Sequence, residues 1–132
     1  MRMLLAILLS GAGAVAQEPV EPGKLPMSAE RKVDFATDIQ PLLKRSCLKC
    51  HGDKRPKSDF RMTSRELALK GGELGVAILP GDSANSPLVH IIAGLVEDTE
   101  MPPEGKKDYP KLTKEEVGLV RAWIDQGGKY DN

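Results

Sequence analysis

The sequence predicts a small all-α domain of about four helices joined by long loops. Apolar residues recur at spacings of three and four in three segments, a capping box marks a fourth short one, and capping or stop residues bound these segments. Only residues 76–79 have the character of an extended segment, so no sheet is expected. The chain has 132 residues but only 4% aromatic residues. It is long enough for one domain and carries little large apolar bulk for a core.

The first two helices are predicted on either side of the cysteines. The first begins near Asp34 or Thr37 and runs up to Cys47, with its apolar stripe at spacings of three and four. The second follows a capping box formed by Thr63 and Glu66, and the glycines at residues 71–72 end it.

Two further helices are predicted in the second half of the chain. Ser86 and Pro87 provide an N-cap and a first helical residue for the third helix, which ends at Gly94. Thr113 and Glu116 form a capping box for the fourth and clearest helix. Its apolar stripe consists of Val117, Val120, Trp123 and Ile124.

The N-terminal region is interpreted as a signal peptide followed by a linker. Residues 1–16 combine Arg2, an apolar run at residues 4–9 and an Ala-Val-Ala cleavage site. The apolar run is far shorter than the ~20 residues of a spanning helix, so no membrane span is expected after cleavage. Residues 17–32 contain three prolines and predict a disordered linker or N-terminal arm, which leaves residues 33–130 as the domain. The protein is therefore expected to be periplasmic or otherwise exported.

Charge and residue content exclude several classes of function. The chain has 19 basic and 19 acidic residues, without the basic excess of a nucleic-acid-binding protein. It has no recognisable Ser, His and Asp set, no carboxylate pair in a cleft pattern and no phosphate-binding loop. We therefore expect a protein that is not an enzyme.

The segment CLKCH at residues 47–51 holds both cysteines of the chain and admits several interpretations. A redox dithiol requires the pair at the start of a helix that follows a strand, whereas here it ends a helical run. A structural zinc site requires four ligands, and beyond Cys47, Cys50 and His51 only the distant His90 is offered. A disulfide is possible in an exported protein but leaves His51 without a role.

A haem c interpretation uses every residue of the segment. The thiols of Cys47 and Cys50 add to the two vinyl groups of a haem, and His51 becomes an axial ligand of its iron. The porphyrin also supplies the apolar bulk that the sequence lacks. We therefore predict one covalently attached haem c.

Met101 is the predicted sixth ligand of the iron. Pro102 and Pro103 follow it and stiffen the loop behind its thioether. The other candidates are less suited: they comprise Met27 in the predicted arm, Met62 as a packing side chain, and His90 on the solvent side of its helix.

The order of these features resembles the planctomycete-type cytochrome c domain of class I cytochromes over residues 33–130. The motifs that carry the resemblance are DIQPLL, CLKCHG, KGGELG, LPGDSANSPLV, MPPEG and KLTKEEVGLVRAWIDQGG. The resemblance implies a cytochrome c-like fold of about four helices around one covalent haem. It also implies attachment at Cys47 and Cys50, His51 as proximal ligand and Met101 as distal ligand, with the first helix packed across the helix that carries Trp123.

A six-coordinate haem predicts an exported single-haem electron carrier. The alternative is a haem-based sensor or small peroxidase-like protein in which an exogenous ligand displaces Met101. Charges near the motif are segregated, which suggests redox partner proteins with an acidic docking face; two solvated surface runs explain the pattern equally well. The basic residues are Lys44, Arg45, Lys49, Lys54, Arg55, Lys57 and Arg61, and the acidic residues are Glu97, Asp98, Glu100 and Glu104.

Overall fold

The computed structural model describes residues 20–103, 105, 108 and 110–131. Within these ranges the chain is helical, and its only β feature is a single antiparallel bridge between Gly72 and Gly75. The prediction of an all-α protein is confirmed for this part of the chain. The α-helices are α1 Gln40–Ser46, α2 Leu48–His51, α3 Arg65–Lys70, α4 Pro87–Ile92 and α5 Lys114–Asp125. A π-helical turn at Phe35–Ile39 and 3₁₀ turns at Pro22–Lys24, Lys57–Asp59 and Ser83–Asn85 complete the helical segments.

The predicted signal peptide, residues 1–16, lies outside the described residues. Among the residues that are described, none of the helices combines the length and apolar character needed to span a bilayer.

The first predicted helix is built from two pieces. The Asp34 carboxylate accepts a hydrogen bond from the Thr37 amide at 3.2 Å and opens the π-helical turn. Pro41 then lies in the first turn of α1, where the absence of an amide hydrogen costs no helical hydrogen bond. The wide turn therefore admits a proline within a helical run that still ends at the cysteines.

The N-cap of α5 agrees with the sequence prediction, whereas the N-cap of α3 differs from it. For α5, the Thr113 hydroxyl accepts from the Glu116 amide at 3.1 Å, and the Glu116 carboxylate accepts from the Thr113 amide at 2.9 Å. That capping box is confirmed. For α3 the predicted box is wrong, because Ser64 is the N-cap and accepts from the Leu67 amide at 3.2 Å.

The side-chain hydroxyls of Thr63 and Ser86 do not cap the helices that follow them. Thr63 donates to the Asp53 carboxylate at 2.8 Å. Ser86 precedes α4 as predicted, but its hydroxyl accepts from the Leu79 amide at 2.9 Å and donates to the Asp82 carbonyl at 2.9 Å. The hydroxyl thus fixes the loop before α4 rather than the end of the helix.

The core lies between α5 and the start of the first helical run. The ring centroid of Phe35 lies 6.1 Å from that of Trp123 and 4.4 Å from that of Tyr130. Trp123 is only 3% exposed, and its indole N–H donates to the Lys129 carbonyl at 2.7 Å. The first helical run therefore packs against α5, as the resemblance implied.

Residues 25–32 of the predicted disordered arm are packed on α5. The Ala29 amide donates to the Gly118 carbonyl at 3.0 Å, and the Arg121 guanidinium donates to the Pro26 carbonyl at 2.7 Å. Leu25 is buried at 7% exposure. The composition of this segment suggested disorder because the segment itself has few apolar residues. Its prolines reduce the conformational entropy of the unfolded chain, and its backbone groups form hydrogen bonds with α5, so the segment is ordered.

Candidate functional site

An apolar cavity opens beside α2. Its walls come from α2, residues 58–62, the loop at residues 72–77, α4 and residues 99–103. The space that protein atoms do not fill is about 890 Å³, including the part open to solvent. All four residues that the sequence proposed as haem ligands, Cys47, Cys50, His51 and Met101, lie in this lining.

The CLKCH segment is a helical turn, which explains why its side chains share one wall. The amides of Cys50 and His51 both donate to the Cys47 carbonyl, at 3.2 and 3.0 Å. Residues three apart on a helix lie on the same face, so Cys47 and Cys50 both reach the cavity. Both are free thiols.

The Cys47 thiol is protonated at neutral pH. Burial raises its pKa to about 11, and the nearby Arg45 guanidinium only partly opposes that effect. A redox dithiol needs a lowered thiol pKa, so this environment argues against that interpretation.

His51 is oriented by the segment that follows the short turn at Lys57–Asp59. Its Nδ1 atom lies 3.0 Å from the Phe60 carbonyl oxygen, and the Met62 amide donates to the His51 carbonyl at 2.9 Å. The Phe60 ring contacts the imidazole edge to face, with centroids 5.1 Å apart. Because a carbonyl oxygen only accepts, Nδ1 carries the proton, and Nε2 keeps the lone pair that a metal ligand needs.

The surroundings of His51 favour its neutral imidazole. Burial lowers the pKa of His51, and the backbone hydrogen bonds to Phe60 and Lys57 oppose this only in part. A neutral ring with its lone pair on Nε2 is the form that binds metals.

Met101 is half-buried and lines the same cavity, next to Pro102 and Pro103. Met62 also reaches the cavity and is almost fully buried at 2% exposure, so it combines a packing role with a place in the lining. Met27 is 81% exposed and lies outside the lining.

His90 does not line the cavity and differs from its predicted place. The sequence placed it on the solvent side of its helix, but it is half-buried and its Nε2 atom donates to the Ala84 carbonyl at 2.6 Å. Helical phase alone could not show this contact, because Ala84 lies in the loop before α4.

The residues present fit a haem c. Two thiols one helical turn apart, a neutral imidazole and a thioether border one apolar cavity, and these are the groups through which haem is attached and ligated. Among the described residues there is no cluster of three or more His, Cys, Asp or Glu side chains suited to a metal ion. The zinc interpretation therefore has no supporting geometry in this part of the chain.

Comparison with known proteins supports the resemblance to a cytochrome c family. Residues 47–105 match the family model described as Planctomycete cytochrome C. The match confirms the resemblance seen in the motifs, and it spans all four proposed ligands. Residues 47–105 are therefore similar to cytochrome c domains of this family, and a cytochrome c domain implies haem c binding.

The chain is also similar to a curated protein, the hydrazine synthase subunit alpha of Kuenenia stuttgartiensis. The two are 28% identical over 152 aligned residues, which cover 96% of this chain and 18% of the relative. The chain thus spans less than a fifth of that subunit's length. No solved structure matches the chain.

This similarity corrects the expectation that the protein is not an enzyme. The relative is by name a subunit of a synthase, so the expectation from the sequence is wrong. The absence of familiar catalytic residue sets was a poor guide because a haem supplies its own chemistry, and such chemistry needs none of those sets.

Proposed function

We propose that this chain is an exported c-type cytochrome that transfers electrons through one haem. The haem is attached covalently at Cys47 and Cys50, and its axial ligands are His51 and Met101. The observation that carries the proposal is the convergence of these four side chains on the lining of one apolar cavity. In this proposal residues 1–16 are a signal peptide, the mature domain comprises residues 33–130 with residues 25–32 packed on it, and the protein works in the periplasm or another exported location.

Each side chain has a distinct role. The two cysteines hold the cofactor by thioether bonds on one wall of the cavity, and His51 offers Nε2 in an orientation fixed by the Phe60 carbonyl. Met101 presents its thioether from a loop stiffened by two prolines. Bound haem supplies reversible one-electron oxidation and reduction of its iron. The apolar lining excludes water, which favours a six-coordinate site that changes little on electron transfer.

Redox partner proteins with an acidic docking face are the proposed partners. Arg45 bonds to Glu116 at 2.7 Å, and Lys49 lies 3.7 Å from Asp108, so both charges have acidic neighbours. Three exposed basic residues follow α2 directly: Lys54, Arg55 and Lys57. Among the described residues we assign the docking charge to this group, while Glu104 of the predicted acidic group lies outside them.

The pyridine haemochrome spectrum of the purified exported protein tests the proposal. We expect the spectrum of a haem with two thioether bonds and an intact mass that corresponds to one haem per chain. Protein that is compact and colourless, produced in a host that matures c-type cytochromes, would contradict the proposal.

A second candidate function is supported by the similarity to a synthase subunit. In this candidate an exogenous ligand displaces Met101, and the haem serves a sensor or an enzyme. Carbon monoxide distinguishes the two. A protein that keeps its methionine-to-iron absorption band at neutral pH under carbon monoxide is a carrier, whereas loss of that band supports the second candidate.

A further inference from the structure

The geometry points to Gly72 as a positioning residue for the proposed axial ligand His51. The inference rests on the proposed function, because it concerns how strongly His51 donates to iron. Gly72 acts on His51 through the segment at residues 58–60, against which its backbone packs.

The segment that orients His51 needs support from outside. The Lys57–Asp59 turn leads into Phe60, whose carbonyl accepts from the His51 ring. Ser58 and Asp59 adopt φ values of 55° and 52°, a left-handed conformation that residues with a Cβ rarely adopt. Such a conformation persists where surrounding contacts hold it.

The loop that begins at Gly72 supplies that support. The Glu73 amide donates to the Ser58 carbonyl at 2.8 Å. The loop is itself closed by two hydrogen bonds between Gly72 and Gly75, at 3.2 and 3.0 Å. The backbone of Gly72 lies so close to the segment that a Cβ added there would clash with the Ser58 carbonyl oxygen and lie 2.9 Å from the Phe60 Cβ and 3.0 Å from the Phe60 amide nitrogen.

Glycine is required at position 72 for space, not for backbone conformation. Its φ lies outside the left-handed region, so alanine is not strained there by the backbone itself. Gly94 is the reverse case, since its φ is +73° and nothing lies within 4 Å of an added Cβ. Gly94 also lies outside the cavity lining, so the two glycines separate a steric effect on the segment at residues 58–60 from a general loss of backbone stability.

Displacement of Phe60 has a defined chemical consequence. The hydrogen bond from Nδ1–H to a carbonyl raises the basicity of a ligating histidine. A methyl group at position 72 pushes the Ser58 carbonyl and Phe60 away and lengthens this bond, which weakens donation from Nε2 and favours the reduced iron. The midpoint potential should then move upward.

The test compares Gly72→Ala with Gly94→Ala in the haem-loaded exported protein. Two quantities are measured: the midpoint potential, and the solvent exchange rate of the His51 Nδ1 proton by NMR in the reduced state. We expect Gly72→Ala to raise the potential and quicken the exchange, and Gly94→Ala to leave both unchanged. Equal shifts in both variants, or no shift in folded Gly72→Ala, would overturn the inference.

Hydrogen exchange in the wild-type protein keeps the inference testable where Gly72→Ala fails to accumulate. The Glu73 amide and the His51 ring proton should become exposed in the same opening event, so their opening free energies should coincide. A ring proton that stays protected while the Glu73 amide exchanges freely overturns the inference. A wild-type protein without haem overturns the proposed function as well, whereas a haem protein insensitive to Gly72→Ala overturns only the role of Gly72.

Discussion

The guanidinium of Arg31 donates two hydrogen bonds to the carboxylate of Asp38, with N–O distances of 2.8 and 2.9 Å. The Asp34 amide donates to the same carboxylate at 2.8 Å. These bonds, first that from Arg31 and then that from Asp34, lower the pKa of Asp38. The pair links the N-terminal segment to the first helical run.

Acid stability should therefore depend on Asp38. A carboxyl whose pKa is lower in the folded than in the unfolded state stabilises the fold above the unfolded pKa of about 3.9, and the contribution is lost as pH falls through the folded value. Asp38→Asn should flatten the decline of unfolding free energy between about pH 4 and pH 2, measured by urea denaturation. Arg31→Gln is the matched control and should flatten it in part; an unchanged slope in both variants would contradict the assignment.

Loss of both thiols should prevent accumulation of folded protein. In Cys47→Ala with Cys50→Ala the cofactor has no covalent attachment, so the apolar cavity beside α2 stays unfilled. Protease resistance of the exported chain is the measurement, with wild-type protein made with and without haem maturation as the control. A cooperative, protease-resistant double variant would show that the core forms without haem.

Replacement of Met101 should open one coordination position. Met101→Ala is expected to lose the methionine-to-iron absorption band and to bind carbon monoxide. Met62→Leu is the control, because Met62 lines the same cavity at 2% exposure and a volume-conserving change costs less than about 1.5 kcal/mol. If Met62→Leu loses the band and Met101→Ala keeps it, the ligand assignment is wrong.

Trp123 should be a large contributor to stability. Trp123→Ala removes the 3% exposed ring that packs beside Phe35 and Tyr130, so we expect the unfolding free energy to fall by about 3–5 kcal/mol. Met27→Ala, at an 81% exposed position, should change it by no more than about 0.5 kcal/mol. Urea denaturation measures both, and similar losses at the two positions would contradict the packing described.

Electron transfer to an acidic partner should slow as salt rises. Arg55→Glu with Lys57→Glu reverses two exposed charges beside the proposed haem site and should lower the rate at low ionic strength by about tenfold or more. Lys24→Glu is the control, because Lys24 is distant in sequence from Arg55 and Lys57 and is paired with Glu21 at 4.0 Å. An identical salt dependence in wild type and double variant would remove the steering role.

The helices and the proposed ligands were accessible from sequence because each depends on local pattern. The Thr113 and Glu116 capping box and the proline after Ser86 act within one helical turn, so spacing alone locates them. The CLKCH segment likewise carries its chemistry within five residues. Four helical segments were predicted, and the additional short α2 is the cysteine segment itself.

The contacts that orient His51 were not accessible from sequence. Phe60 acts through its carbonyl oxygen, which every residue type possesses, so no residue pattern marks it. Gly72 needs space against a segment twelve residues away, and two adjacent glycines also occur in ordinary loops.

A buried polar network was missed for a similar reason. Ser83 is fully buried, and its hydroxyl donates to the Asp125 carboxylate at 2.9 Å and accepts from the Arg121 guanidinium at 3.1 Å. In sequence this serine belongs to a glycine-punctuated polar stretch, which is typical of a surface loop. Its partners lie on α5, some forty residues later, beyond the range of local patterns.

The Tyr130 hydroxyl donates to the Met62 carbonyl at 2.8 Å, and the same tyrosine lies 5.7 Å from the chain's single tryptophan. Tyr130 thus links Met62 in the cavity wall, through a hydrogen bond, to the fluorescent ring of Trp123, through a ring contact. Ultraviolet emission from an unlabelled sample therefore offers an optical gauge of how tightly the cavity wall is held, readable in real time and without any added dye.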